Sequence, residues 1–227
     1  MPPRLHFIRH AAGHHNLSQE NQNIRDPLLT AHGEVQCAEL AREIGEARMK
    51  SIDYIVASPL QRTLNTALCI FQKLLKEKPG LKIIALPELQ ETSLLPCDVG
   101  SPIEQLLDLY KDKPVDFSFV GENWIEKTTG PFSPHSRHLS ERCKKARHFL
   151  RQQDKAEIAV VTHGALLHYL TEDWYQAMVG CGWSNCELRT YHFDTSTEES
   201  NANASIVEVY SNLVLRGPRS TLPSSEE

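Results

Sequence analysis

Arg9-His10 closes a short apolar segment (Leu5, Phe7, Ile8) near the start of a 227-residue chain. A guanidinium beside an imidazole places a phosphate-binding fork next to a nucleophile. Three further segments at comparable places carry matching chemistry: Ser58-Pro59-Leu60-Gln61-Arg62-Thr63, Leu89-Gln90-Glu91 and Val160-Val161-Thr162-His163-Gly164. Taken singly, each arginine reads as a surface ion pair and each histidine as a hydrogen-bonded structural residue. Taken together, two arginines, two histidines and a carboxylate can hold a phosphoryl group and move it without a metal.

Phosphoryl transfer asks a protein mainly for positioning and for positive charge around the phosphoryl oxygens. Arg9 and Arg62 can each present a planar fork of donors. A neutral imidazole is a competent nucleophile toward phosphorus near its ordinary pKa of ~6.5. Either His10 or His163 could attack while the other, protonated, neutralises the phosphate; Gly164 would let the chain turn tightly after His163. A departing alkoxide needs a proton, and a carboxyl group near a phosphate dianion has its pKa raised. Glu91 fits that role, with Glu88 and Asp98 as rivals.

The elements that must carry these groups alternate. Strands are expected at Leu5–Ile8, Tyr54–Ala57, Lys82–Ala85 and Ile158–Thr162, with a later pair at Arg189–Phe193 and Ser205–Val209. One helix should start after Thr30, a good N-cap, with Val35, Ala38, Ala41 and Gly45 on its apolar stripe. A second should run from about Leu60 to Lys76, and a third from Arg137 to Gln153. Such alternation predicts an α/β fold with a largely parallel sheet covered by helices. Residues 92–136 break the rhythm and read as a cap over the site, rich in proline, glycine and aromatic rings (Phe117, Phe119, Trp124, Phe132). Within it, Ser101-Pro102-Ile103-Glu104 reads as a capping box with proline at the first helical position. One domain is expected over 1–215, with a disordered tail over 216–227.

Composition narrows the classes. A net charge of −5 argues against an extended nucleic-acid surface, and no apolar run is long enough to span a bilayer. The amino terminus lacks the apolar core of a signal peptide, so a cytoplasmic location is expected. Six scattered cysteines without CxxC spacing read as reduced thiols rather than a disulfide framework or zinc site. His14 and His15 could suggest a metal with His10, but a polar loop over a phosphate explains them better.

The motifs resemble the histidine phosphatase superfamily in its phosphoglycerate-mutase-like branch. Arg9-His10 matches that family's Arg-His-Gly signature, and Asn16 falls where the branch carries its asparagine. Asp26-Pro27-Leu28-Leu29-Thr30-x-x-Gly33, Ser58-Pro59-Leu60-x-Arg62-Thr63-x-x-Thr66-Ala67, Leu89-x-Glu91 and His163-Gly164 match in order. The stretch Arg9-His10-Ala11-Ala12-Gly13-x-His15-Asn16 resembles fungal members in particular. Ala11 departs from the pattern, standing where the family usually has glycine. A position demanding positive φ or very close phosphate approach would suffer from it.

The resemblance implies a three-layer α/β/α sandwich and a histidine acid-type phosphatase, a phosphoric monoester hydrolase acting on a small-molecule phosphomonoester. His10 would become phosphohistidine, Arg9, Arg62, His163 and Asn16 would bind phosphoryl oxygens, and Glu91 would be the acid. Neither metal nor organic cofactor is implied, and no nucleic-acid or membrane partner; the sequence is compatible with a homodimer. A phosphomutase and a phosphate-binding pseudoenzyme are the rivals. Between Thr92 and Leu150 eight Lys/Arg face eight Asp/Glu, which gives no basic enclosure for a small anionic substrate and favours hydrolysis. The cap aromatics are expected to select the organic part of the substrate.

Overall fold

A computed structural model of the chain describes residues 2–174 and 182–209; the tail expected at 216–227 and Cys181 lie outside them. Seven strands form one sheet: β1 (Arg4–Arg9), β2 (Tyr54–Ala57), β3 (Ile83–Ala85), β4 (Val115–Asp116), β5 (Glu157–Thr162), β6 (Leu188–Phe193) and β7 (Ile206–Glu208), in the order β4-β3-β2-β5-β1-β6-β7. The first five are parallel, while β6 and β7 are antiparallel additions at one edge. The parallel strands read as near-continuous apolar runs because both faces are buried. Alternate residues go to opposite cores. Ile8, Ile55, Ala57 and Val161 face α1 (Ala31–Ser51) and α2 (Gln61–Ile70), whereas Phe7, Val56 and Val160 face α5 (Ser136–Arg151) and α6 (Gly164–Thr171). The result is the expected α/β/α sandwich, with a mostly parallel sheet.

Thr30 caps α1 as expected, its hydroxyl accepting from the Gly33 amide at 3.0 Å. The apolar stripe, however, differs. Val35 and Ala38 are exposed, and the helix buries Gly33, Cys37, Leu40, Ile44 and Met49 instead. Its rotation follows from Gly33, where an added Cβ would stand 2.2 Å from the Ala12 carbonyl oxygen; only glycine lets the helix lie this close to the segment after His10. Gly45, with φ of 73°, kinks the helix rather than joining the stripe. The long helix expected from Leu60 to Lys76 is divided at Phe71 into α2 and α3 (Gln72–Glu77).

The segment 92–136 is less irregular than its composition suggests. It contributes the short edge strand β4 and a helix, α4 (Ile103–Leu109). The capping box does not form. Pro102 is the N-cap, and both the Ser101 amide and hydroxyl donate to Asp26 Oδ2, at 3.0 and 2.7 Å. A carboxylate is the stronger acceptor, so Ser101 ties the cap to the loop before α1. Asp26 also accepts from the Gln61 amide at the start of α2. One side chain thus clamps three segments around the site. A last helix, α7 (Glu198–Asn203), precedes β7.

Candidate active site

The register of the sheet decides the centre of the site. β1 and β5 are neighbours with Arg9 opposite Thr162, so the residues that follow, His10 and His163, emerge side by side at the carboxyl edge. Their rings meet edge to face with centroids 5.2 Å apart, and both are buried. His10 Nδ1 donates to the Ala11 carbonyl at 2.8 Å. A carbonyl can only accept, so this contact fixes the proton on Nδ1 and leaves Nε2 with a free lone pair. Burial, followed by the nearby Arg62 and Arg9 charges, holds the His10 pKa well below the usual imidazole value. His163 is lowered in the same way, by burial first and then by Arg62 and His10.

Ala11 does not impair this geometry. Its backbone lies outside the left-handed region, its methyl packs into the core, and its amide donates to Thr66 Oγ1 at 3.0 Å. Nothing here demands glycine.

Arg62 is fully buried at the start of α2. Its Nη2 pairs with Asp98 at 2.9 Å and its Nη1 donates to the Cys97 carbonyl. Arg9 Nη1 donates to the Trp183 carbonyl. His163 Nε2 shares a hydrogen bond of 2.9 Å with Ser58 Oγ. After these bonds, Arg9 Nε, Arg62 Nε and His163 Nδ1 are among the buried nitrogens without a partner, and His15 Nδ1 beside them is another. Buried polar atoms are rarely left unsatisfied, and each orphan costs on the order of 1–3 kcal/mol. A tetrahedral oxyanion beside His10 would offer acceptors to the two guanidinium donors. Gly164 belongs to the same design, since a Cβ there would stand 3.1 Å from Arg9 Nε.

Glu91 lines the pocket and its Oε1 accepts from the amides of Thr92 (2.8 Å) and Leu166 (3.2 Å), the latter in the first turn of α6. Burial, then the Asp98 charge, raises its pKa above the usual carboxyl value, the direction a proton donor needs. Two buried cations hold the segment that carries it. Lys127 Nζ donates to the Glu91 and Asp98 carbonyls at 2.7 and 2.9 Å, and Arg142 Nη1 donates to the Gln90 carbonyl at 2.7 Å. Burial pushes the Lys127 pKa down to about 8. Of the rival acids, Glu88 faces a different cavity, and Asp98 is held by Arg62 and Ser93.

The pocket has a volume of about 430 Å³. Arg9, His10, Asn16 and Glu91 line it, and the buried Arg62 and His163 stand next to His10. Asn16 Oδ1 accepts from the Gly13 amide at 3.0 Å, which leaves its NH₂ group for a ligand. His15 packs against His10, with centroids 5.3 Å apart, and burial drives its pKa down to about 4. The sequence singled out neither Trp183 nor Lys127, because nothing local marks a tryptophan in a connecting loop or a lysine in an irregular segment. Phe117, Phe119, Trp124 and Phe132 do not line this pocket. Trp124 is buried under Gly100, where a Cβ would meet its ring at 2.1 Å, and so packs the cap onto the core. Among the described residues, no three His, Cys, Asp or Glu side chains are placed to hold a metal ion, and five cysteines are free thiols.

The family model of the histidine phosphatase superfamily (branch 1) matches residues 5–202. The chain belongs to that superfamily. It is similar to "Putative phosphoserine phosphatase 2" of Hydrogenobacter thermophilus, 29% identical over 222 residues, covering 96% of this chain and 93% of the relative. Among solved structures, the ecdysone phosphate phosphatase from Bombix mori in complex with tungstate aligns with a TM-score of 0.62 at 16% identity, over 99% of this chain and 97% of that one. A phosphoserine phosphatase mutant from Entamoeba histolytica in complex with phosphoserine aligns at 0.53 with 21% identity, over 91% and 94%. These histidine phosphatase neighbours share the sandwich and the mostly parallel sheet.

Proposed function

We propose that the chain is a phosphomonoester hydrolase of the acid type that works through phosphohistidine on His10. One observation carries the reading: Arg9 Nε, Arg62 Nε and His163 Nδ1, buried and without a partner, belong to residues next to a histidine whose Nε2 is kept unprotonated. Relatives named as phosphatases in the same superfamily support it.

In the first step His10 Nε2 attacks phosphorus, forming the P–N bond as the bond to the alcohol oxygen breaks. Arg9, Arg62, His163 and the Asn16 amide hold the non-bridging oxygens, and Glu91 gives its proton to the departing alkoxide. In the second step the Glu91 carboxylate takes a proton from water, which attacks phosphorus. The P–N bond breaks, and inorganic phosphate leaves. Throughout, the Ala11 carbonyl holds Nδ1–H, so the ring keeps its orientation as it gains positive charge. Burial and the Arg62 and Arg9 charges, which outweigh the opposing pull of the Ala11 carbonyl, let His10 act at mildly acidic pH, where an ordinary histidine would be protonated.

Replacing Glu91 by Gln tests the assignment. It should slow alkyl phosphates by roughly 100-fold or more, while p-nitrophenyl phosphate, whose phenolate needs little protonation, should lose far less. Equal losses on both substrates would remove Glu91 as the acid.

A further inference from the structure

The pocket holds more than the phosphoryl donors, and on the proposed reading its other lining residues meet the alcohol. There the charges are unusual for an enzyme acting on a phosphorylated acid. Arg9 is the one lysine or arginine among the described lining residues, and it is committed to Trp183 and the phosphoryl end. Arg62 is locked to Asp98. Lys127 gives its ammonium to two carbonyls, and Arg25 gives Nε and Nη2 to the Gly100 carbonyl, at 3.1 and 2.9 Å. Burial keeps His15 neutral.

Glu91, which carries the catalytic proton, and Asp98, whose charge is paired with Arg62, line the same wall. A carboxylate on the alcohol would find no uncommitted cation among the described lining residues. The remaining wall is neutral or apolar. Leu95 lines the pocket and is 44% exposed, Leu94 beside it is 48% exposed, and Trp183 and Ala165 also line the pocket. Leu17 and Ile24, next in sequence to segments that supply Asn16 and Gln22 to the lining, are exposed as well.

We infer that the pocket selects phosphomonoesters of uncharged, largely apolar alcohols over those whose alcohol carries a carboxylate. The inference rests on the phosphohistidine reading and adds the substrate class. It separates this chain from what the name of its Hydrogenobacter relative describes, since phosphoserine carries a carboxylate.

The test compares kcat/KM of the full chain for hexyl phosphate, O-phosphoserine and 3-phosphoglycerate, all alkyl esters that need the same protonation. Hexyl phosphate should lead each of the other two by at least ~10-fold. Leu95→Arg, an exposed change that disturbs no core, should narrow or reverse that ratio by ~10-fold, because it supplies the missing cation. Equal values, or preference for either carboxylated ester in the wild type, would overturn the substrate class while leaving phosphohistidine intact. An unchanged ratio in Leu95→Arg would overturn the role given to this wall. Absence of turnover on all three together with absence of a phosphoenzyme would overturn both readings.

Discussion

His10 and His163 stand edge to face at 5.2 Å because adjacent parallel strands set Arg9 opposite Thr162. Two imidazoles that close, buried beside Arg9 and Arg62, cannot both carry charge at moderate cost. Burial therefore favours neutral rings. Under the proposed function, a bound phosphate dianion would favour a proton on His163, while His10 keeps the lone pair with which it attacks.

One consequence is measurable as stability. His6, His10, His15 and His163 all have pKa values lowered by burial. Below the unfolded value of ~6.5 the unfolded chain binds protons that the folded chain refuses, so stability falls as pH falls. Each group contributes up to ~1.4 kcal/mol per pH unit until its folded pKa is reached. For His15 that window ends at about 4. The melting temperature should drop steeply between pH 6.5 and 4.5, and His15→Asn should flatten the slope. A melting temperature constant over that range would contradict the buried neutral rings.

The pH profile of hydrolysis should report Glu91. Its raised pKa places loss of the acid on the basic side of the profile, so kcat declines as pH rises through it. Asp98 is the largest charge raising that value. Asp98→Asn should therefore move the basic limb to lower pH, besides weakening phosphate binding through Arg62. A limb unmoved in Asp98→Asn, measured as log kcat against pH, would detach Glu91 from it.

Gly164→Ala should lower kcat/KM by roughly 10-fold to 100-fold, because its methyl would press on Arg9 and misplace a phosphate donor. Gly121→Ala, where an added Cβ meets nothing within 4 Å, should leave both rate and melting temperature near wild type. Equal kinetics for the two variants would show that Arg9 needs no such closeness.

Trp124 is the cap aromatic whose role the structure changes. Trp124→Ala should cost about 3–5 kcal/mol of stability, as for large buried aromatics, and leave the order of substrate preference unchanged. A reordering of substrates, scored over a panel of esters, would restore a selective role for the ring.

The contrast between Trp124 and His10 shows what the sequence could and could not carry. The chemistry-bearing residues were legible because each ends, or follows within a turn or two, an apolar strand, and parallel strands gather their carboxyl ends at one edge. Asn16 was legible only through resemblance. The rest depended on contacts between distant segments. Ser101 fits a capping box locally but is taken by Asp26, 75 residues away. The phase of α1 is set by Gly33 against Ala12, which no helical period records. Lys127 reaches the Glu91 carbonyl across 36 residues. An aromatic-rich segment announces burial but not against which wall; none of the four rings lines the pocket, and Trp124 packs onto the core instead.

The most direct measurement is the site of covalent phosphorylation during turnover. Rapid quenching of the chain with a slow alkyl phosphate, followed by peptide mass analysis under neutral or basic conditions, should find one phosphoryl group on the peptide containing His10. That group should be lost in acid, as a P–N bond is, and absent in His10→Ala, whose hydrolysis should also be abolished. A phosphoryl group on another residue, or near-wild-type turnover by His10→Ala, would contradict the account.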